Sequence, residues 1–264
     1  MRKKFFGPLA ILLLGLPPLP AQVSSSGTVL IQHAPRKVTG LHPDRVIGNV
    51  TISESSNWAG YAVTGSEFTL ARGSWTVPAV DCTAIPGSSA SFWVGIDGWE
   101  NDTVEQTGTD SDCDNGTPTY YAWYEFVPAA GTTISSVPVA PGDQISADVS
   151  FSGSTFTVTM TNLTSGKTYS KNLPAGSAKR ASAEWIAEAN GYRLSDFGAV
   201  SFGQDYTSVP LTNYASDSRT FGRIGDFGMN VQESIIVAGE DLLVALPSPL
   251  SADGSSFTVV WKAE

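Results

Sequence analysis

Hydrophobic and polar positions alternate along most of this chain. In residues 91–110 (SFWVGIDGWENDTVEQTGTD), Phe92, Val94 and Ile96 fall on one side of an extended segment and Trp93, Asp97 and Trp99 on the other, because strand side chains have period two. One side suits a core. The other presents two indoles and a carboxylate, the make-up of a binding face, and the segment runs on into Glu105, Gln106 and Asp110. Residues 119–128 (TYYAWYEFVP) repeat the scheme: Tyr121, Trp123 and Glu125 share one side, and Tyr120, Ala122, Tyr124 and Phe126 the other. Ile145, Ala147, Val149 and Phe151 alternate, Ser152-Gly153-Ser154 turns, and Phe156, Val158 and Met160 alternate back, which predicts a hairpin.

Residues 167–173 continue this meander, and 199–202, 234–246 and 257–261 supply further apolar strands. Residues 181–190 (ASAEWIAEAN) have helical propensity. They sit among short, turn-bounded strands, so their first half is read as strand. Regular strand spacing, with no internal repeat and no linker beyond Ser55, predicts one all-β domain, a sandwich or jelly roll.

Composition agrees: of 264 residues, 41% are hydrophobic and only 15% charged, with abundant Gly, Ser, Thr and Pro. The net charge of −10 excludes the basic stripe of a nucleic-acid binder. Arg2, Lys3 and Lys4, an apolar run to Leu16, three prolines and Ala21 read as a signal peptide over residues 1–21. The apolar run is short of the roughly 20 residues of a membrane span. The expectation is a secreted, extracellular protein with no membrane attachment after signal removal. Residues 22–52 read as a short propeptide or linker and 53–264 as the folded domain. Six of the 15 Lys and Arg, but one of the 25 Asp and Glu, lie in the first 50 residues, leaving −15 beyond them. A basic leader before an acidic domain suits a propeptide docked by charge and released when carboxylates protonate; a flexible linker is the other reading.

Export favours a disulfide between Cys82 and Cys113, closing a loop around the central segment. Both histidines, His33 and His42, precede Val50. With the leader removed, the domain has no histidine, which excludes Ser-His-Asp, Cys-His and histidine-ligated zinc chemistry. Carboxylates, amides and hydroxyls remain. Asp97, Glu125 and Glu184 lie on aromatic-rich segments. Two of them across a groove would suit a glycoside hydrolase or carbohydrate-binding sandwich, with tryptophans as sugar platforms. Alternatively, they are hydrogen-bonded supports within a core.

The segments SSNWAGYAV, FWVGIDGW, EQTGTD, YYAWYEFVP and AEWI, in that order, resemble the glutamic peptidases (eqolisins), acid-acting secreted endopeptidases. The resemblance spans about residues 53–261. It implies a concanavalin A-like sandwich of two antiparallel sheets. It also implies a catalytic dyad of Gln106 in EQTGTD and Glu184 in AEWI. Trp93 and Asp97 in FWVGIDGW, Asp110 in QTGTD, and Trp123 and Glu125 in YYAWYEFVP match substrate-binding or supporting positions. Glu105 and Glu188 match no such role and are read as surface residues. The implied enzyme is a monomeric zymogen that cleaves polypeptides at acid pH without metal or cofactor and is insensitive to pepstatin. The aspartic-protease alternative needs paired aspartates in repeated motifs, and the sequence has no such repeat.

Overall fold

The computed structural model describes residues 32–191, 193–239 and 242–263, so the expected signal peptide lies outside the described residues. The first strands are β1 (Arg45–Ile47), β2 (Val50–Ser55), β3 (Trp58–Thr64), β4 (Leu70–Thr76), β5 (Ser91–Ile96), β6 (Val104–Asp114) and β7 (Thr117–Val127). One layer sets β3, the strand Ser182–Glu188, β5, β6 and β7 side by side, each antiparallel to the next. A second layer runs from β4 through Gln144–Ser152 and Thr155–Asn162 to Lys167–Pro174. From β4 a second path through four further strands, Ala199–Phe202, Phe257–Trp261, Leu242–Pro247 and Val231–Ala238, leads back to β3. The two layers of the sandwich are therefore joined into one hydrogen-bonded sheet folded over on itself. β2 departs from the antiparallel rule and pairs parallel to Val231–Ala238. The boundary expected between residues 52 and 53 thus falls inside a paired strand.

Alternation sets which side chains enter the core. Phe92, Val94 and Ile96 of β5 join Trp75 of β4, Val149, Phe156, Met160 and Trp185 in one buried cluster between the layers. At about 25 cal/mol per Å2, burial of such large side chains drives the layers together. Residues 182–188 form strand throughout, with every side chain buried; packing on two faces overrides their helical propensity. The apolar run 234–246 divides into two strands with Gly239 left-handed between them (φ 62°). Cys82 and Cys113 form the expected disulfide. It ties the segment before β5 to the end of β6. Among the described residues, no helix is long and apolar enough to cross a membrane.

Candidate active site

Strand register assembles the site. Side chains of directly paired residues share a face, and Glu184 pairs with Gly95, Gly95 with Gln106, and Gln106 with Glu125. These four form one row on the face turned away from the core. Adjacent strands lie about 4.8 Å apart, so the backbones of Glu184 and Gln106 are separated by roughly 10 Å. Gly95 between them carries no side chain to fill the gap. A Cβ there would stand 3.0 Å from the Trp93 ring and 3.1 Å from Gln106 Cβ. The next row is Ile186, Trp93, Gly108 and Trp123, and the third is Glu188, Ser91, Asp110 and Tyr121. Gly108 is forced by the indoles beside it: a Cβ would meet Trp93 Cβ at 2.5 Å and Trp123 Cζ2 at 2.8 Å. Trp58, Trp93, Trp99 and Trp123 pack with Ile186 into a second, smaller cluster on this face.

Polar contacts fix most of these groups. Gln106 Nε2 lies 3.4 Å from Glu125 Oε2. A carboxylate only accepts, so this contact turns the amide nitrogen toward Glu125. Trp123 donates to Asp110 Oδ1 at 2.6 Å, Tyr121 donates to Asp110 Oδ2 at 2.8 Å, and Ser91 also donates to Oδ1. Trp93 donates to Glu188 Oε2 at 2.9 Å. The dyad positions differ from this pattern. Glu184 and Gln106 are fully buried, yet among the described residues both Glu184 carboxyl oxygens and Gln106 Oε1 have no hydrogen-bond partner. Leaving such groups unmatched costs about 1–3 kcal/mol each, which a fold tolerates where a substrate is to be met.

Burial raises the Glu184 carboxyl well above its ordinary value, and the charges of Asp97 and Glu105 add to the effect. Burial likewise pushes Glu188 up to about 7 and, with Asp97 beside it, Glu105 up to about 9.

Register and burial revise several expectations. Asp97 lies beyond the paired rows that hold Trp93. It follows the end of β5 in a left-handed conformation (φ 77°), and its carboxylate accepts the backbone N–H groups of Lys179, Arg180 and Ala181 at 2.7–2.8 Å. It anchors the approach to Ser182–Glu188 and is not free for acid–base work. Glu105 and Glu188 are buried, not on the surface. Glu105 faces away from Gln106 by alternation, because the pleat sends neighbours to opposite faces. Glu188 shares the cleft face with Glu184, because the strand continues through Glu188. The tryptophans are covered rather than open: Trp93 and Trp123 are both fully buried.

Sequence reasoning missed one occupant of the cleft. His33, in the segment that the sequence suggests is a leader, is buried there. Its Nδ1 lies 2.6 Å from Glu125 Oε2 and its Nε2 lies 2.9 Å from Ser91 Oγ. Its ring stacks on Trp123 at 3.7 Å between centroids. A lone histidine in weakly patterned sequence gives no local sign of this. The contact exists only in the tertiary fold.

Comparison with known proteins bears on the family and the fold. Residues 56–220 match the Peptidase A4 family. The chain is 34% identical over 184 residues to Aspergillopepsin-2 of Aspergillus niger, an alignment covering 59% of this chain and 65% of that protein. It is 35% identical over 181 residues to Scytalidopepsin B of Scytalidium lignicola, covering 66% of this chain and 64% of that protein. The chain thus spans just under two thirds of the length of these relatives. Its fold superposes on scytalido-glutamic peptidase, crystallised with a transition state analog inhibitor, with a TM-score of 0.65 at 24% identity, covering 78% of this chain and 98% of that one. The order of the motifs, the sandwich and the match over most of the domain lead to one conclusion: this chain belongs to the Peptidase A4 family.

Proposed function

We propose that the protein is a secreted acid endopeptidase that hydrolyses peptide bonds with Glu184 and Gln106. The observation that carries this reading is the row Glu184–Gly95–Gln106–Glu125, in which a fully buried carboxyl and a fully buried amide flank a side-chain-free gap with their oxygens unmatched. Family membership supports the reaction class.

In this mechanism a scissile peptide and a water enter the gap over Gly95. Water entering the gap relieves the burial that raises Glu184 and lets it ionise; the carboxylate then takes a proton from the attacking water and returns it to the leaving amine. One N–H of Gln106 is held by Glu125. The other is free to stabilise the oxyanion of the tetrahedral intermediate, and the amide is neutral at every pH. Trp93 and Trp123 wall the site, and Asp110 holds Trp123 in place. The chemistry calls for no metal or cofactor, and nothing in it offers pepstatin a paired-aspartate target. Residues 1–21 act as the export signal and 22–52 as the leader of a monomeric zymogen.

The sugar-cleaving alternative loses its support here. Asp97 is consumed by backbone N–H groups, and Glu125 and Glu184 are separated by two intervening strands with the glutamine between them. The test is digestion of casein or denatured haemoglobin at about pH 3–4, where carboxylates titrate, with pepstatin present. Cleavage by wild type that is abolished in both Glu184→Gln and Gln106→Ala, with folding intact, is the expected result. Full activity in either variant would remove the dyad.

A further inference from the structure

A phenol held between two carboxyls marks the outer end of the cleft face. Along β6 the side chains of Gln106, Gly108, Asp110 and Asp112 share one side by alternation, and Tyr121 of β7 pairs with Asp110. The Tyr121 hydroxyl lies 2.8 Å from Asp110 Oδ2 and 2.7 Å from Asp112 Oδ2. We propose that Asp112 is a positioning residue for substrate binding: its carboxyl keeps a proton, donates that O–H to Tyr121, and through Tyr121 and Asp110 fixes the Trp123 indole that walls the dyad. Its effect on binding rests on the peptidase reading above; the order of the protons rests on hydrogen-bond geometry alone.

Counting hydrogens assigns the proton. The Tyr121 hydroxyl has a single proton and faces two carboxyl oxygens, and an ionised carboxylate only accepts. One of the two short contacts must therefore be made by a carboxyl O–H. Asp110 has no room for one. Its Oδ1 accepts from Trp123 Nε1 at 2.6 Å and from Ser91, and its Oδ2 accepts from Asn190 Nδ2 at 3.2 Å as well as from Tyr121. Asp112 is less crowded: Oδ1 accepts the Ala90 N–H at 3.3 Å, and Oδ2 faces Tyr121. The order is then Asp112 O–H to Tyr121 and Tyr121 O–H to Asp110, with the Trp123 N–H donating to the same Asp110. Such a chain strengthens each of its bonds by polarising the next.

The surroundings of Asp112 agree with this order. Burial pushes its carboxyl up to about 8, and the charge of Asp110 on the same strand adds to the effect. Tyr121 on β7, the Ala90 N–H before β5 and His33 across the cleft pull the other way, so a chain without His33 holds the Asp112 proton more tightly still. Burial and the two carboxyls push the Tyr121 phenol far up, which keeps it a donor. Because Asp112 is raised above its ordinary 3.8, the unfavourable burial of its charge is absent below about 3.8 and accumulates as pH rises toward about 8. At the acid pH of the proposed reaction the chain of donors is complete. Above about 8, two carboxylates compete for one phenol proton and the hold on Trp123 slackens.

The experiment measures steady-state cleavage of a fluorogenic peptide at pH 4 by wild type, Asp112→Ala and Asp112→Asn. Asp112→Ala is expected to raise KM about tenfold with kcat within about twofold, the split left by a lost binding contact. Asp112→Asn, whose amide N–H still donates to Tyr121, is expected to bring KM back to within about threefold of wild type. An unchanged KM in Asp112→Ala, or a loss confined to kcat, would overturn the positioning role. Two NMR signals need no cleavage. The Asp112 carboxyl carbon is expected to titrate near 8, and the Trp123 indole N–H signal to move over the same range in wild type but not in Asp112→Asn. Titration of Asp112 near 3.8, or a Trp123 signal indifferent to both pH and Asp112→Ala, would overturn the proton order. If no form cleaves the peptide, the peptidase reading fails, and these two signals decide the Asp112–Tyr121–Asp110 chain by themselves.

Discussion

The two faces of the strands β5, β6 and Ser182–Glu188 have the same backbone and nearly the same burial, yet opposite chemistry. Toward the second layer β5 and Ser182–Glu188 present Phe92, Val94, Ile96, Ala183, Trp185 and Ala187, an apolar surface that interdigitates with its partner, and β6 adds the buried Glu105, Thr107 and Thr109. Toward the cleft the alternate positions present Glu184, Glu188, Gln106, Asp110 and the Trp93 indole, and all are buried too. The core face gains stability from each buried atom. The cleft face gives some back, because its carboxyls are desolvated and the dyad is unmatched. Period two allows one strand to do both, and a slip of one residue would exchange them.

Substitutions should separate the faces, and the largest effect belongs to the cleft. Glu184→Gln is expected to lower kcat by about 10²–10⁴ while leaving the thermal midpoint unchanged or higher, since a buried carboxyl is replaced by a neutral isostere; calorimetry beside steady-state rates reads both. Phe92→Ala, on the core face of β5, should instead cost about 3–5 kcal/mol of stability in a denaturant titration. Replacing Cys82 with Ser opens the disulfide that joins residues 31 apart and should cost about 2–4 kcal/mol.

A smaller and subtler effect concerns pH. Glu105, Glu188 and Glu184 all bind protons more tightly in the fold than in the unfolded chain. For such groups the unfavourable burial is absent below their ordinary value of 4.5 and accumulates as pH rises toward the folded values, about 7 for Glu188 and about 9 for Glu105. Stability should therefore fall between about pH 4.5 and 9, in the same direction as the self-repulsion of an acidic domain. Glu105→Gln should match wild type at pH 4 and exceed it at pH 8 by roughly 1–3 kcal/mol. A melting temperature that rises toward neutrality would contradict this.

Much of this division is legible in the alternating pattern itself. Trp93, Trp123, Glu125 and Glu184 occupy the cleft face because period two assigns them there, and Gln106 and Asp110 follow by the same count along β6. The count fails where the strand stops. Asp97 looks like a further cleft residue beyond Trp93 and Gly95, but a left-handed backbone at the end of β5 turns it to a different task, and the Asp97–Gly98 pair is the local sign of that turn. Burial of Glu105 and Glu188 was hidden for another reason: charge suggests solvent, whereas a layered sheet encloses both faces of its central strands. His33 was beyond reach because its partners lie 58 to 92 residues away.

The most direct test of the central claim sets Glu184→Gln against Glu188→Gln, two carboxyls on one strand and one face. If catalysis lies in the row with Gly95 and Gln106, kcat should fall by about 10²–10⁴ in Glu184→Gln, while Glu188→Gln keeps kcat within about tenfold of wild type and mainly raises KM, the mark of a lost binding contact. Equal losses of kcat in both, or the larger loss in Glu188→Gln, would contradict the assignment.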